Sequence, residues 1–109
     1  MFFMETCLLL LLQRASGYGY SLMEDLREFG FQPEQMDISI LYRALRDLET
    51  AGLVRSSWSD ESLGPQRRMY SLTPPGETSL AEWIESLRQR RREIETLETA
   101  YERVKKSVS

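Results

Sequence analysis

The chain has 109 residues, one Cys and no His, and its 17 acidic and 14 basic side chains leave a net charge of −3. That length suits one small domain. One Cys and no His exclude an intrachain disulfide, a His/Cys metal site and any His-dependent triad, while 41% hydrophobic and 28% charged residues describe a folded soluble protein rather than a disordered one.

Residues 1–12 are apolar except Glu5 and Thr6, and Ala15-Ser16-Gly17 follows. No Lys or Arg precedes the run, and Glu5 sits where a secretory signal needs positive charge. The run is also too short to span a bilayer. A buried first helix over residues 3–14 is expected, because Leu8, Leu11 and Leu12 share a face and Leu9 and Leu10 widen it. Cys7 lies inside this run, so a buried, reduced thiol is expected. Ser16-Gly17-Tyr18-Gly19 breaks the helix as a tight loop. A second helix is expected over 20–29, with Leu22, Met23, Leu26 and Phe29 at helical spacing and Gly30 just past its end. Residues 31–36 form a turn.

Asp37 then reads as the N-cap of a third helix that runs to about residue 51 and ends at Gly52. Its apolar positions are Ile38, Leu41, Leu45 and Leu48. The opposite face carries Ser39, Arg43, Arg46 and Thr50, with Tyr42 on its shoulder. Residues 53–59 and 67–72 read as two strands of a hairpin, joined by a polar loop that holds Gly64-Pro65. Thr73-Pro74-Pro75-Gly76 is the next break. A last helix then runs to residue 105 or 106. Inside it Leu80, Leu87, Ile94, Tyr101 and Val108 repeat every seven residues, and Trp83, Arg90, Leu97 and Val104 follow three residues on. Some of the stripe can pack on the N-terminal domain, but a helix of about 30 residues is ~45 Å long and outreaches a domain this small, so the rest calls for a second copy. Arg90 is its one interruption. The neighbouring arginines 88, 91 and 92 alternate with Glu85, Glu93 and Glu95, as on a salt-bridged solvated face.

Three short helices followed by a hairpin is the order of a winged helix-turn-helix. The fold expected is therefore mostly α with a small β-hairpin: a winged helix-turn-helix over 1–75 and a C-terminal dimerisation helix over 76–109. The third helix pairs an apolar face with hydroxyl, phenol and guanidinium groups, the types that reach base edges and phosphates. Arg67 and Arg68 lie beside the hairpin tip, where they can contact backbone or a minor groove. Residues 37–75 carry as many bases as acids, whereas residues 1–36 are acidic. A local basic stripe of Arg43, Arg46, Arg67 and Arg68 then has to carry DNA binding, with a modest salt dependence. Tyr20 and Tyr42 are either domain-edge packing or phosphate contacts, and Ser39 is either a contact or a second helix cap.

Several motifs resemble one family. Leu41-Tyr42-Arg43-Ala44-Leu45-Arg46-Asp47-Leu48-Glu49 with Gly52-Leu53-Val54 is similar to the recognition-helix signature of PadR-like transcriptional regulators. Gly19-Tyr20, Gly64-Pro65 with Arg68 and Tyr70, Leu72-Thr73 with Gly76, and Trp83 extend the resemblance over nearly the whole chain. The length and single C-terminal helix resemble the small branch of that family. Relatives often carry Pro-Gly where this chain has Ile38-Ser39, which bears on base preference. The resemblance implies a cytoplasmic, homodimeric regulator of transcription, usually a repressor, bound to double-stranded operator DNA. It implies no enzymatic activity, cofactor, metal or membrane partner. It also implies that an aromatic of the last helix can line a pocket for a small planar ligand at the dimer interface. Trp83 is the candidate, with Phe2, Phe3 and Met4 beside it if the first and last helices pack across the dimer.

The residue set expected for DNA is Tyr20, Ser39, Tyr42, Arg43, Arg46, Arg67 and Arg68. The set expected for dimerisation is Leu80, Trp83, Leu87, Ile94, Leu97, Tyr101 and Val104. The rival reading is a protein-interaction adaptor without DNA affinity, which the acidic total favours. An enzyme is the weakest reading, since no spacing of carboxylates or hydroxyls selects a reaction.

Overall fold

A computed structural model describes residues 3–59 and 67–108. The polar hairpin loop with Gly64-Pro65, and Phe2, lie outside the described residues. Helix α1 spans Phe3–Arg14. A two-residue strand β1, Gly17–Tyr18, leads into α2, Gly19–Asp25, which tightens into a 3-10 turn over Leu26–Phe29. Gly30 ends it at φ 93°, a left-handed conformation that glycine adopts without strain. A short 3-10 turn, Pro33–Gln35, precedes α3, Ile38–Thr50. Strands β2, Val54–Ser59, and β3, Arg67–Leu72, form the wing. Helix α4 runs Pro74–Val108.

The sheet order is β1-β3-β2, all antiparallel. The tight loop expected at Ser16-Gly17-Tyr18-Gly19 therefore holds a strand: Gly17 pairs with Tyr70 and Tyr18 with Met69. Two residues are too few to show a period of two, so only the edge of β3 reveals them. The core is almost entirely aliphatic. Leu8 and Leu9 of α1, Leu26, and Leu41 and Leu45 of α3 are fully buried, and Val54 and Tyr70 close it from the sheet. Cys7 is buried there as expected, and that burial pushes its thiol pKa up to about 11. At neutral pH it stays a protonated, unreactive thiol.

Two expectations are corrected here. The break at Thr73-Pro74-Pro75-Gly76 is the first turn of α4 itself. Thr73 caps it: its Oγ1 accepts from Gly76 N at 3.1 Å and donates to Gly52 O at 2.7 Å. Pro74 and Pro75 fit a first helical turn, where no N–H partner is needed. The division drawn at residue 75/76 thus falls inside a continuous helix. Leu80, assigned to the dimer stripe, is only 4% exposed within its own chain, and Trp83 and Ile84 pack half-buried against the same core. The free part of α4 starts one turn later. From Arg88 to Val108 every residue is exposed, and this overhang, roughly 31 Å of helix, makes the long axis of the chain 67 Å.

Candidate nucleic-acid interface

Helix α3 is presented by its cap. Asp37 Oδ1 accepts from Ser39 N at 2.9 Å, and Asp37 O accepts from Ile40 N at 3.0 Å. The Ser39 hydrogen bonds hold the Asp37 carboxyl below its ordinary value, with Arg43 helping. Ser39 is therefore engaged in the cap as well as exposed. The core face is Leu41, Ala44, Leu45 and Leu48. Ile38 was expected on that face but is 42% exposed. It precedes Leu41 by three residues, yet the first turn of α3 projects past the core, so periodicity is satisfied while burial is not. Ile38 and the exposed Ile40 thus add two apolar groups to the leading end of the helix. Ser39, Tyr42, Arg43 and Arg46 all lie on the exposed face, as expected.

The wing and α2 converge beside this face. In the hairpin Trp58 is the cross-strand partner of Arg68, and Ser59 of Arg67. The Arg68 guanidinium lies over the Trp58 ring, 4.9 Å from its centre. Arg67 Nη1 donates to the Tyr20 hydroxyl at 2.7 Å, and its guanidinium lies 5.1 Å from the Tyr20 ring centre and 5.9 Å from that of Tyr18. Those two rings are nearly parallel, at 8° and 6.2 Å. Tyr18 is fixed in turn, donating to Ser59 Oγ at 3.0 Å. The short strand β1 is what aims Tyr18 and Tyr20 at the wing.

Gly19 completes the arrangement. A Cβ there would fall 2.5 Å from Cε1 and the hydroxyl of Tyr42, so the glycine lets α2 and the exposed Tyr42 ring touch. Tyr18, Gly19, Tyr20, Tyr42, Trp58, Arg67, Arg68 and Tyr70 line an open cleft of about 650 Å³. Burial raises the Tyr70 phenol pKa, so its hydroxyl stays protonated. Among the described lining residues there is no carboxylate. Tyr18 and Trp58 are members of this face that the sequence reading did not select. The pairing of Trp58 with Arg68 follows once the hairpin register is fixed. Nothing local singles out Tyr18.

Nine of the twelve arginines sort into two groups; Arg55 of the wing and Arg91 and Arg103 of α4 also form no ion pair among the described residues. Arg14 makes a two-pronged pair with Glu28 at 2.8 Å for each prong, and Arg27 bridges Glu24 and Glu34. Arg88 and Arg92 pair with Glu85, and Arg90 with Glu93 of its own helix at 3.2 Å. Arg43, Arg46, Arg67 and Arg68 form no ion pair among the described residues; the two wing arginines contact rings and a hydroxyl instead. Asp37 at the cap of α3 and Asp47 on it are exposed beside Arg43, so positive charge on this side is local to the guanidiniums.

The proposed ligand residues are not assembled within one chain. Phe3 stacks on Phe31 with ring centres 6.0 Å apart. Met4 lines a shallow groove with Ile40, Arg43 and Asp47. Trp83 packs against the core at the root of α4. A platform built on Trp83 would need a second subunit to complete it. Among the described residues no group of three or more His, Cys, Asp or Glu can hold a metal, and no helix is long and apolar enough to cross a membrane.

The model of the transcriptional regulator PadR-like family matches residues 8–82. The chain belongs to the PadR-like family of transcriptional regulators. A crystallised conserved protein of unknown function, described as a potential transcriptional factor, shares 37% identity over 93% of this chain and 89% of its own, with a TM-score of 0.77. A PadR-like regulator from Bacillus cereus shares 27% over 85% of this chain and 88% of its own, with a TM-score of 0.71. Bacillus subtilis PadR, solved in complex with operator DNA, has the same fold at 23% identity, over 75% of this chain and 46% of its own, with a TM-score of 0.64. No curated protein matches the chain. The PadR-like fold accounts for the winged helix and the long last helix together, and the family is one of regulators rather than enzymes.

Proposed function

We propose that this PadR-like chain is a homodimeric, sequence-specific DNA-binding repressor that reads an inverted repeat in the cytoplasm. The leading half of α3 enters the major groove. Arg43 and Arg46 reach base edges there, Ser39 and Tyr42 supply hydroxyls, and Ile38 supplies an apolar contact of the kind a thymine methyl accepts. Arg67, Arg68 and Tyr20 hold the phosphate backbone. The overhang of α4 pairs with that of a second copy through Leu87, Ile94, Leu97, Tyr101 and Val104, with Trp83 at its root. Two recognition helices ~34 Å apart then meet half-sites about one helical turn apart.

The observation that carries this reading is the sorting of the arginines. Arg14, Arg27, Arg88, Arg90 and Arg92 are paired with glutamates, while Arg43, Arg46, Arg67 and Arg68 are exposed and form no ion pair among the described residues. The operator complex of the Bacillus subtilis neighbour supports the same use of the fold. The test is a gel shift on DNA from upstream of the chain's own gene, at two salt concentrations, with random DNA as competitor. A discrete complex that survives the competitor and weakens with salt is expected. Absence of even non-specific binding at low salt would remove the electrostatic premise and favour an adaptor.

A further inference from the structure

We propose that Tyr18 is a positioning residue for DNA binding: its hydroxyl ties the outer end of the wing to β1, and its ring helps to fix the Arg67 guanidinium where the phosphate backbone meets it. This role rests on the DNA reading of that face and adds to it a residue that itself touches no DNA.

A two-stranded hairpin is only marginally stable by itself, so the outer end of a wing needs a support. Strand β1 offers little backbone for this, since it pairs with β3 at two positions, Gly17 with Tyr70 and Tyr18 with Met69. The Tyr18 side chain extends that hold. In the sheet order β1-β3-β2 it starts on one outer strand, and its hydroxyl donates to Ser59 Oγ on the other at 3.0 Å. The outer strands of a three-stranded sheet lie about 9–10 Å apart, twice the spacing of neighbours, so the phenol crosses over β3 to reach β2. Ser59 is the cross-strand partner of Arg67. One side chain thus joins β1 to the end of the hairpin that carries the arginine.

The ring supplies the second part. Tyr18 and Tyr20 lie nearly parallel, and the Arg67 guanidinium is 5.9 Å from the first ring centre and 5.1 Å from the second, both within the cation–π reach of about 6 Å. The Tyr20 hydroxyl also accepts from Arg67 Nη1 at 2.7 Å. An exposed arginine without such contacts surrenders its rotamer freedom when it meets a phosphate. Here the two rings have already removed much of it. The tyrosines differ in what they can touch. Tyr20 is 53% exposed and can meet DNA itself. Tyr18 is half-buried, and its phenol proton is spent on Ser59, so its effect passes through Arg67. Phosphate contacts carry no sequence information, so loss of Tyr18 weakens all duplexes alike.

Fluorescence-anisotropy titration of the full chain tests the role, on a duplex from upstream of its own gene and on a random duplex. The variants are Tyr18→Leu, Arg67→Ala and the two together. Tyr18→Leu is expected to weaken both duplexes by about fivefold, through the lost cation–π contact and the lost preorganisation. In the Arg67→Ala background the same substitution should change affinity by less than about twofold, because the group it positions is gone. A merely structural tyrosine would cost the same in both backgrounds, and that result, or no loss in either, overturns the proposal. Tyr18→Phe and Ser59→Ala remove only the hydroxyl tie and decide the question if Tyr18→Leu does not fold. Each should weaken binding by about twofold to fivefold, and the pair together no more than one alone; unaltered or additive affinities overturn the proposal. A readout without DNA is the Arg67 Nε–H proton resonance, assigned by its absence from Arg67→Ala. In the parent it should lie upfield of a solvated arginine, under the ring currents, and move toward the solvated position in Tyr18→Leu; a solvated position in the parent overturns the proposal. If the parent binds no duplex, the DNA reading fails and this role falls with it. If the parent binds and the coupling to Arg67 is absent, the role of Tyr18 alone fails.

Discussion

Gly76→Ala separates helix propensity from packing. In an open helix interior, replacing glycine by alanine stabilises by roughly 1 kcal/mol. Here the added methyl would collide with the Leu53 carbonyl oxygen and stand 2.6 Å from Leu72 Cδ1, well inside the ~3.5–4.0 Å of a relaxed carbon contact. Leu72 is half-buried against the core and can retreat only at its expense. The Leu53 carbonyl is pinned as well, since it accepts from Thr73 N at 3.1 Å. Overpacking costs about 1–3 kcal/mol and loss of that hydrogen bond about 1 kcal/mol. After the propensity gain, the net effect is a destabilisation of about 1–3 kcal/mol, or roughly 5–20 °C in Tm for a domain of this size. Thermal unfolding by circular dichroism, paired with urea titration, measures it. A double-mutant cycle with Leu72→Ala then apportions the clash. Near-additivity would mean that the backbone carbonyl dominates. A Gly76→Ala variant at least as stable as the parent would refute the reasoning, because it would mean that α4 does not approach the wing this closely.

Three further outcomes are expected. Arg46→Ala should weaken operator binding by ~1–3 kcal/mol and relax base preference at one position, whereas Arg67→Ala should weaken binding to all sequences and lower the salt slope by about one per subunit; competition gel shifts over a salt series distinguish the two. Leu97, 69% exposed on the overhang of α4, is the place to break self-association: Leu97→Glu should shift sedimentation from dimer to monomer while the winged-helix core keeps its helical signal. The acid side of the stability profile follows from three carboxylates held below their ordinary values, Glu28 by Arg14, Glu34 by Arg27 and Asp37 by Ser39. Each contributes stability that is present above its ordinary pKa of 4.5 or 3.8 and is lost as pH falls through the lower folded value. Glu5 acts in the opposite sense, because burial and then Asp47 raise it; its deprotonation costs stability as pH rises. Glu5→Gln should therefore raise the urea midpoint at pH 7 and abolish the gain that the parent shows as pH falls toward 4.5, leaving the slope below that unchanged.

The elements were legible in the sequence wherever their signals are local. Asp37 and Gly52 bracket α3, Gly30 ends the turn after α2, the two strands of the wing stand as read, and the exposed set Ser39, Tyr42, Arg43 and Arg46 follows from helical spacing alone. Caps, periods and left-handed glycines are properties of a few neighbouring residues, so no distant partner is needed to read them. Tertiary structure decided the rest. It turned Thr73-Pro74-Pro75-Gly76 from a break into a helix start, because Thr73 caps the first turn while tied to Gly52 O of a distant segment. It placed Leu80 in the core and left Ile38 outside it, although both keep helical phase with buried leucines. It made a strand of Gly17 and Tyr18 and so brought Tyr20 to Arg67. Each of these depends on which surface another element presents, and a residue's period fixes its direction from the helix axis, not what lies in that direction.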